Sequence, residues 1–271
     1  SHNVLKNSVI AHSACNGVIV AGTNNTVANT LISDVDWIGN DCSGIDVTGS
    51  GNVITHNTIY NTARDAIYFL NAWNRDDNPN NSSGSSRNVT ISYNDIFAFG
   101  QAAWDVGGIY LWGYPSPGVK IDHNWIHDSY YPAVRPFSAR ISDSTDAGVY
   151  LDGNVSGIEV FQNVIWDMSS ELIWINGTGS AYPYAPNNDN VHNNTLINSH
   201  GPQTIGVLGP FHDCGTAIIK DNKINAPIMN ISTKGCAEEN NSMSAPGATE
   251  MTNIVPGCSL AACAVDPYKK P

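Results

Sequence analysis

The chain has 271 residues, enough for one large domain or two small ones. Its 24 acidic and 12 basic side chains give a formal net charge of −12, so it lacks the positive surface by which proteins bind nucleic acid or anionic membranes. A hydrophobic content of 41% with only 13% charged residues excludes a disordered chain. No apolar run approaches the length of about 18 residues that a membrane-spanning helix needs. The most unusual number is 33 Asn, far above ordinary usage.

A short block of the form Asn-x-apolar-x recurs along the chain at spacings of 22 to 39 residues. The copies begin at Asn7, Asn29, Asn57, Asn94, Asn124, Asn163, Asn194 and Asn222. A base period near 22 residues with insertions accounts for this series. Because self-similarity at such a period is typical of solenoids and related arrays, the repeat indicates the fold.

Each repeat contains three short apolar runs. The first precedes the Asn block, as at 53–55, and the block itself supplies the second. The third run follows a turn and usually begins with a small residue. Its copies lie, in chain order, at 17–20, 44–47, 66–69, 108–111, 148–151 and 172–175. Since no stretch of about 11 residues has a helical period, we predict three short strands per repeat.

Short strands at regular spacing also occur in sandwiches and propellers, but three observations favour a parallel β-solenoid. The repeat is about half as long as a propeller blade. The inward positions of the third run are always Val, Ile, Leu or Phe. The Asn recurs at one turn, where side-chain amides can hydrogen-bond from coil to coil. We therefore predict an all-β parallel solenoid of about eight coils, with insertions at its turns.

The Asn column and the Gly-Ile-x-Val strands resemble those of the right-handed parallel β-helix proteins of the pectate-lyase-like superfamily, over roughly residues 3–232. The resemblance implies a carbohydrate-active protein whose groove is lined by the strand after the third turn, here the column of Gly-Ile-Tyr-Leu. We expect β-helix coils over 1–233 and an irregular capping segment over 234–271. Because the first strand begins at once, we also expect a missing N-terminal cap, cleaved off or supplied by another chain.

The six cysteines fall into three pairs by position: Cys15 with Cys42, Cys214 with Cys236, and Cys258 with Cys263. The first two share a column of adjacent coils, which lie about 4.7–4.9 Å apart, within the reach of a disulfide. An even count with such partners favours disulfides and secretion, with reduced, buried cysteines as the alternative. Nine Asn-x-Ser/Thr sequons add weak support for a secreted glycoprotein.

Alternation along the third run points one set of side chains outward. It predicts an exposed aromatic column flanked by carboxylates and amides, which suits sugar rings. The predicted substrate-binding residues on this face are Asp46, Tyr68, Tyr110, Trp112, Tyr150, Trp174 and Asn176. The alternative is that loops cover the rings as a second small core. His127 and Arg135, at the start of and within a long insertion, are further candidates for binding substrate hydroxyls or a carboxylate.

Glycoside hydrolysis requires two carboxyl groups about 5–5.5 Å apart for retention or about 6.5–9.5 Å apart for inversion. Adjacent coils supply such separations. We predict an acid/base pair drawn from Asp105, Asp146, Asp152 and Glu171, which lie on or directly before the groove strands. The leading function is therefore a secreted glycoside hydrolase without a cofactor, acting on a polysaccharide or oligosaccharide.

Two alternatives stay open. The first is a polysaccharide lyase acting on a uronate, with Ca²⁺ as a possible cofactor and a basic residue that removes the proton. The segment Ile121-Asp122-His123 resembles a fragment of the pectate-lyase Ile-Asp-His motif, but the repeat places it on the first strand, off the groove. Basic side chains are scarce near the groove, and the net charge of −12 opposes a polyanionic substrate. The second alternative is a non-catalytic glycan-binding β-helix.

Overall fold

The computed structural model describes residues 2–38, 41–70, 86–103, 105–113, 116–129, 146–153, 155–176, 188–199, 205–208, 216–225, 231–232 and 237–242. Within these ranges the chain winds through three parallel β-sheets, contributing one strand to each sheet per coil. The predicted parallel solenoid and its eight coils are confirmed. In these same ranges no helix is long and apolar enough to cross a membrane.

The three sheets contain nine, eight and eight strands. The first holds β1 (Val4–Lys6), β4 (Thr26–Ala28), β7 (Val53–Thr55), β10 (Thr90–Ser92), β13 (Val119–Asp122), β16 (Ile158–Phe161), β19 (Asn190–His192), β22 (Ile218–Lys220) and β25 (Ala237–Glu239). The second holds β2 (Val9–Ala11), β5 (Leu31–Val35), β8 (Thr58–Thr62), β11 (Asp95–Phe97), β14 (Trp125–His127), β17 (Val164–Met168), β20 (Thr195–Ser199) and β23 (Lys223–Asn225). The third holds β3 (Val18–Ala21), β6 (Ser43–Thr48), β9 (Asp65–Leu70), β12 (Val106–Gly113), β15 (Asp146–Gly153), β18 (Ile173–Asn176), β21 (Ile205–Leu208) and β24 (Ile231–Ser232).

The core is a continuous stack of aliphatic side chains along the inside of the coils. In the second sheet the register aligns Ile59, Ile96, Ile126 and Ile165, each fully buried. β-branched side chains suit this stack because they pack well on a pleated surface. Each coil buries its inward residues against the next coil, so the strands depend on their neighbours for stability.

An asparagine ladder runs along the turn between the first and second sheets. The amide of Asn57 donates to Asn94 Oδ1 at 3.0 Å, and Asn94 donates to Asn124 Oδ1 at 2.9 Å. The ladder continues through Asn163, Asn194, Asn222 and Asn241. Each buried amide thus satisfies its neighbour, which is the requirement for polar groups inside a protein.

The first two copies of the block are displaced by one residue from the predicted column. Thr30, not Asn29, occupies the ladder position below Asn57 and donates its N–H to Asn57 Oδ1. Asn7 and Asn29 occupy the preceding position, with φ of 54° and 45°, and bond to each other at the surface. Asparagine tolerates this left-handed backbone, which is why both positions of the turn can carry it.

The repeat extends past residue 233, where the sequence analysis ended the coils. Strand β25 pairs with β22, and Asn241 accepts a hydrogen bond from the Asn222 amide at 2.9 Å. Residues 243–271 lie outside the described residues.

One predicted disulfide is confirmed. Cys15 and Cys42 are bonded with their Cα atoms 5.2 Å apart, at the turn before strands β3 and β6. Cys214, Cys236, Cys258 and Cys263 lie outside the described residues, so their pairing stays a prediction.

Candidate functional site

The outward face of the third sheet carries the side chains that the sequence predicted for it. Backbone register aligns Asp46 with Tyr68, and then Tyr68 with Tyr110. The same column continues through Tyr150 to Trp174. Two residues further along each strand, Trp112, Asp152 and Asn176 form the next column. The alternation of the strands therefore places both predicted columns on one face.

The expectation that this aromatic column is exposed is wrong. Tyr68 is 6% exposed, Tyr110 3%, Tyr150 2% and Trp174 8%. The four rings form a cluster of their own with Ala147, separate from the aliphatic core, and Trp112 packs against it partly buried. They make the second small core that was the alternative to an open groove.

Neighbouring rings of this cluster stack face to face. Tyr110 and Tyr150 stack with centroids 4.6 Å apart and planes 6° from parallel, and Tyr150 and Trp174 stack at 4.3 Å and 4°. The spacing of adjacent strands, about 4.8 Å, brings aligned rings into this geometry. A sugar therefore cannot stack on the shared faces of these rings, and the hydroxyls of Tyr110 and Tyr150 are left for polar contacts.

Asp152 lies buried beside this cluster and accepts hydrogen bonds from three donors. Tyr110 Oη donates to its Oδ2 at 2.6 Å, and the Asn176 amide donates to its Oδ1 at 2.7 Å. The N–H of Gly153 donates to the same Oδ1 at 2.8 Å. Burial raises the pKa of Asp152, and these donors offset that rise only in part. The carboxyl is thus fixed in direction, and its pKa lies above the ordinary value for an aspartate.

Asp105 reaches the same cluster from the turn before β12. It is half-buried, has a φ of 60°, and accepts a hydrogen bond from the Tyr150 hydroxyl. That hydroxyl in turn accepts a bond from the Asn176 amide at 3.3 Å. Asp105 and Asp152 are therefore joined through Tyr150 and Asn176, and the charge of Asp105 adds to the rise in the pKa of Asp152. Of the four predicted carboxyls, these two are brought into one network.

The other two predicted carboxyls, Asp146 and Glu171, are hydrogen-bonded to residues of a turn. Asp146, fully buried at the start of β15, accepts a bond from Ser169 Oγ at 3.0 Å. Glu171 is also buried and accepts a bond from the Ser170 hydroxyl, while burial raises its pKa. These bonds tie each carboxyl to a serine of the turn between the second and third sheets.

Arg64 and Asp65, neither of which was predicted as a catalytic or substrate-binding residue, lie beside this network. The Arg64 guanidinium lies 5.8 Å from the centre of the Tyr110 ring, and its Nη2 donates to the backbone carbonyl of Asp105 at 3.3 Å. It also forms ion pairs with Asp41 and Asp65. Asp65 is buried and accepts a bond from the Gly107 N–H at 2.8 Å. The sequence already places Arg64 among the few basic side chains near the groove, and Asp65 among the carboxylates that enter the groove strands.

His127 lies on the second sheet, so its prediction as a groove residue is wrong. It ends β14, and its ring bonds Asp128 Oδ2 at 2.7 Å and Asp95 Oδ1 at 2.9 Å. Burial alone lowers its pKa, but these two hydrogen bonds raise the pKa to about 9. His127 belongs to the second-sheet stack, the parallel rings of Tyr60, Phe97, His127 and Trp166.

Asp46 stays on the predicted face, half-buried, and burial raises its pKa. Its Oδ1 is shielded from solvent and has no hydrogen-bond partner in the part of the chain that the structure describes. The Ile121-Asp122-His123 segment lies in and directly after β13 of the first sheet, off the groove as the repeat indicated. Arg135 lies outside the described residues. No group of three or more metal-ligating side chains occurs within the described ranges.

Residues 1–196 match the family model for the right-handed β-helix region. The chain belongs to this family, which confirms the right-handed parallel β-helix that the sequence resembled. A comparison with curated proteins finds no match.

Three solved structures share the fold at low identity. The A-module of mannuronan C-5 epimerase AlgE4 from Azotobacter vinelandii is 13% identical with a TM-score of 0.57, covering 90% of this chain and 56% of that one. The surface protein and adhesin PfbA from Streptococcus pneumoniae is 12% identical with a TM-score of 0.56, and the match covers 91% of this chain and 65% of PfbA. DFA-IIIase from Arthrobacter chlorophenolicus A6, in complex with GF2, is 15% identical with a TM-score of 0.50, covering 84% and 51%. This chain spans between half and two-thirds of their length, and both enzymes and an adhesin use the fold.

Proposed function

We propose that this protein is a secreted carbohydrate-active enzyme, a glycoside hydrolase that binds a polysaccharide or oligosaccharide along the outward face of the third sheet. The observation that carries the proposal is the network of Asp105, Tyr150, Asn176 and Asp152 on that face. Two carboxyls on neighbouring coils, one of them with a raised pKa, are the kind of groups that hydrolysis of a glycosidic bond requires.

In this mechanism Asp152 is the general acid. Its proton passes to the glycosidic oxygen as the bond from that oxygen to the anomeric carbon breaks, and the bonding electrons stay with the leaving sugar. The Asp105 carboxylate supplies the second function. It attacks the anomeric carbon at close separation, or takes a proton from the attacking water at wide separation. Tyr110 and Asn176 orient Asp152, while Tyr150 orients Asp105.

The charge balance supports a neutral or weakly acidic glycan. The face carries Asp46, Asp65, Asp105 and Asp152 within a chain of net charge −12. A polyanion would be repelled unless a cation intervened. The Cys15–Cys42 disulfide supports an oxidising, extracellular location.

Two other functions are each favoured by one observation. Arg64 beside Tyr110 favours a lyase, because a cation near a uronate carboxylate assists proton removal from the adjacent carbon, and Ca²⁺ could serve the same end. The partly exposed indole of Trp112 beside the buried rings favours a non-catalytic glycan-binding protein, a role compatible with the fold of the adhesin PfbA.

The deciding experiment incubates the full chain with a panel of soluble polysaccharides and measures reducing ends together with ultraviolet absorbance. New reducing ends without absorbance support the hydrolase. New reducing ends with absorbance indicate the double bond of a lyase product, and loss of that signal with a chelator would add Ca²⁺. Retardation in polysaccharide-containing gels with no product at all would overturn both enzyme proposals in favour of binding.

A further inference from the structure

The turn before β6 carries a large apolar surface that the network above does not use. Trp37 is 60% exposed and the adjacent Ile38 is 64% exposed. Scattered apolar residues at a surface are ordinary, but an indole beside an isoleucine is a contiguous apolar patch. An exposed indole offers a flat apolar face, which suits the C–H face of a sugar ring.

The residue directly before Trp37 is anchored, because the N–H of Asp36 donates to the carbonyls of Ser13 and Cys15 of the preceding coil, both at 3.0 Å. Cys42 is joined to Cys15 of the preceding coil by the disulfide. Asp41 forms an ion pair with Arg64 of the following coil. A ring displayed on an anchored turn loses little conformational freedom on binding, and this favours recognition.

Arg64 links the connection before β6 to the turn that carries Asp105. Arg64 contacts Asp41 through Nη1 and the carbonyl of Asp105 through Nη2. The turns that carry Trp37 and Asp105 both precede strands of the third sheet, β6 and β12, with β9 between them. Two strand spacings place them about 10 Å apart along the axis. A glycan chain that lies along the solenoid axis and reaches Asp105 would therefore pass this turn.

The charge at the turn also bears on the occupant. Asp41 is 80% exposed and its charge is balanced by Arg64, so this pair gives the turn no excess charge that would favour an ionic ligand. The occupant that fits is a neutral sugar.

We propose that Trp37, with Ile38, forms a separate sugar-binding subsite on the second coil, two coils from Asp105, which holds a neutral glycan by contact with the indole face. The subsite extends the proposed function, since it binds a further unit of the same glycan chain.

The test is affinity gel electrophoresis of the full chain in native gels that contain inulin, dextran, xyloglucan or arabinoxylan. Trp37→Ala is compared with Trp37→Phe and with Tyr93→Ala. Tyr93 is the matched control because it is 51% exposed and lies on the turn between the first and second sheets. We expect Trp37→Ala to weaken apparent affinity about five- to tenfold. Trp37→Phe should keep most of the affinity and Tyr93→Ala all of it, and thermal unfolding checks that each variant is folded.

The outcomes separate this proposal from the proposed function. Equal retardation of Trp37→Ala and wild type overturns the subsite even if the protein hydrolyses the glycan. A selective loss of retardation supports the subsite even if no product forms. Failure of all four polysaccharides to retard the wild type also overturns it. A concentration-dependent dimer in sedimentation that Trp37→Ala abolishes would identify the patch as a protein interface and overturn the glycan proposal.

Discussion

The second and third sheets each display a stack of rings, and the two stacks differ in what surrounds them. The second-sheet stack places His127 against Trp166 at 4.1 Å, with planes 5° from parallel. The third-sheet stack places Tyr150 against Trp174 at 4.3 Å and 4°. Their geometry is the same because the strand spacing imposes it on any aligned rings. An aromatic column in a β-helix is therefore no evidence of a binding site by itself.

The polar groups at the ring ends distinguish the two stacks. On the second sheet Asp95 and Asp128 hold the imidazole of His127 and raise its pKa to about 9, so these carboxylates are matched by a positive charge. On the third sheet Asp152 is met by neutral donors, and burial raises its pKa. The second-sheet arrangement is therefore an ion-pair cluster, whereas on the third sheet Asp152 is a carboxyl of raised pKa whose hydrogen-bond donors are neutral.

The largest expected effect compares Asp152→Asn with Asp95→Asn. Removing the acid from the third sheet should lower turnover about 10²- to 10⁴-fold. Thermal unfolding should stay nearly unchanged, because the amide keeps the size of the carboxyl. Asp95→Asn changes the same group on the other stack and should leave turnover intact. The measurement is the initial rate on the polysaccharide that the panel identifies, and near-wild-type turnover in Asp152→Asn would remove Asp152 from the mechanism.

The next effect concerns stability and belongs to the second sheet. The pKa of His127 is raised from about 6.5 in an unfolded chain to about 9. Its charged form therefore contributes stability that is fully present below about pH 6.5 and is lost as pH rises through 9. The contribution is at most about 3 kcal/mol.

Denaturant unfolding at pH 6 and at pH 9.5 measures this difference, and His127→Phe should flatten it while the ring stack survives. Trp112→Ala is the control, because it removes no titratable group and should leave the slope between pH 6.5 and 9 unchanged. An equal slope in wild type and His127→Phe would show that the second stack is not held by a charged imidazole.

Repetition explains which features could be predicted from the sequence. A side-chain period of two, copied from coil to coil, determined that Tyr110 and Tyr150 share a face and that Cys15 and Cys42 share a column. The same period could have excluded His127, which is the fourth residue of an Asn block and so belongs to the second sheet. The long insertion after it drew attention to the residue rather than to its phase.

The burial of these side chains and their hydrogen-bond partners could not be predicted from the repeat. Whether Tyr68 and Trp174 are exposed depends on the whole chain around them, and the period contains no such information. Asp105 and Asp152 are chosen over the other two carboxyls because they hydrogen-bond across coils, to Tyr150 and Asn176. The spacing of residues in the sequence does not reveal which side chains come within hydrogen-bonding distance. The displacement of Asn7 and Asn29 arose because the left-handed turn residue and the ladder residue both favour asparagine.

The smallest effect separates binding from catalysis at the edge of the third-sheet stack. Trp112 aligns with Asp152 in the register and packs against the rings while remaining partly exposed. Trp112→Ala should raise KM several-fold and lower kcat less, since an indole that only holds substrate contributes equally to ground and transition states. Trp125→Ala is the matched change, because Trp125 lies edge-on to Trp166 in the second sheet at 6.3 Å. A fall in kcat with KM unchanged would instead show that the indole positions Asp152. Trp112 would then join Asp152 and Asn176, its neighbours in the same column, in the catalytic network.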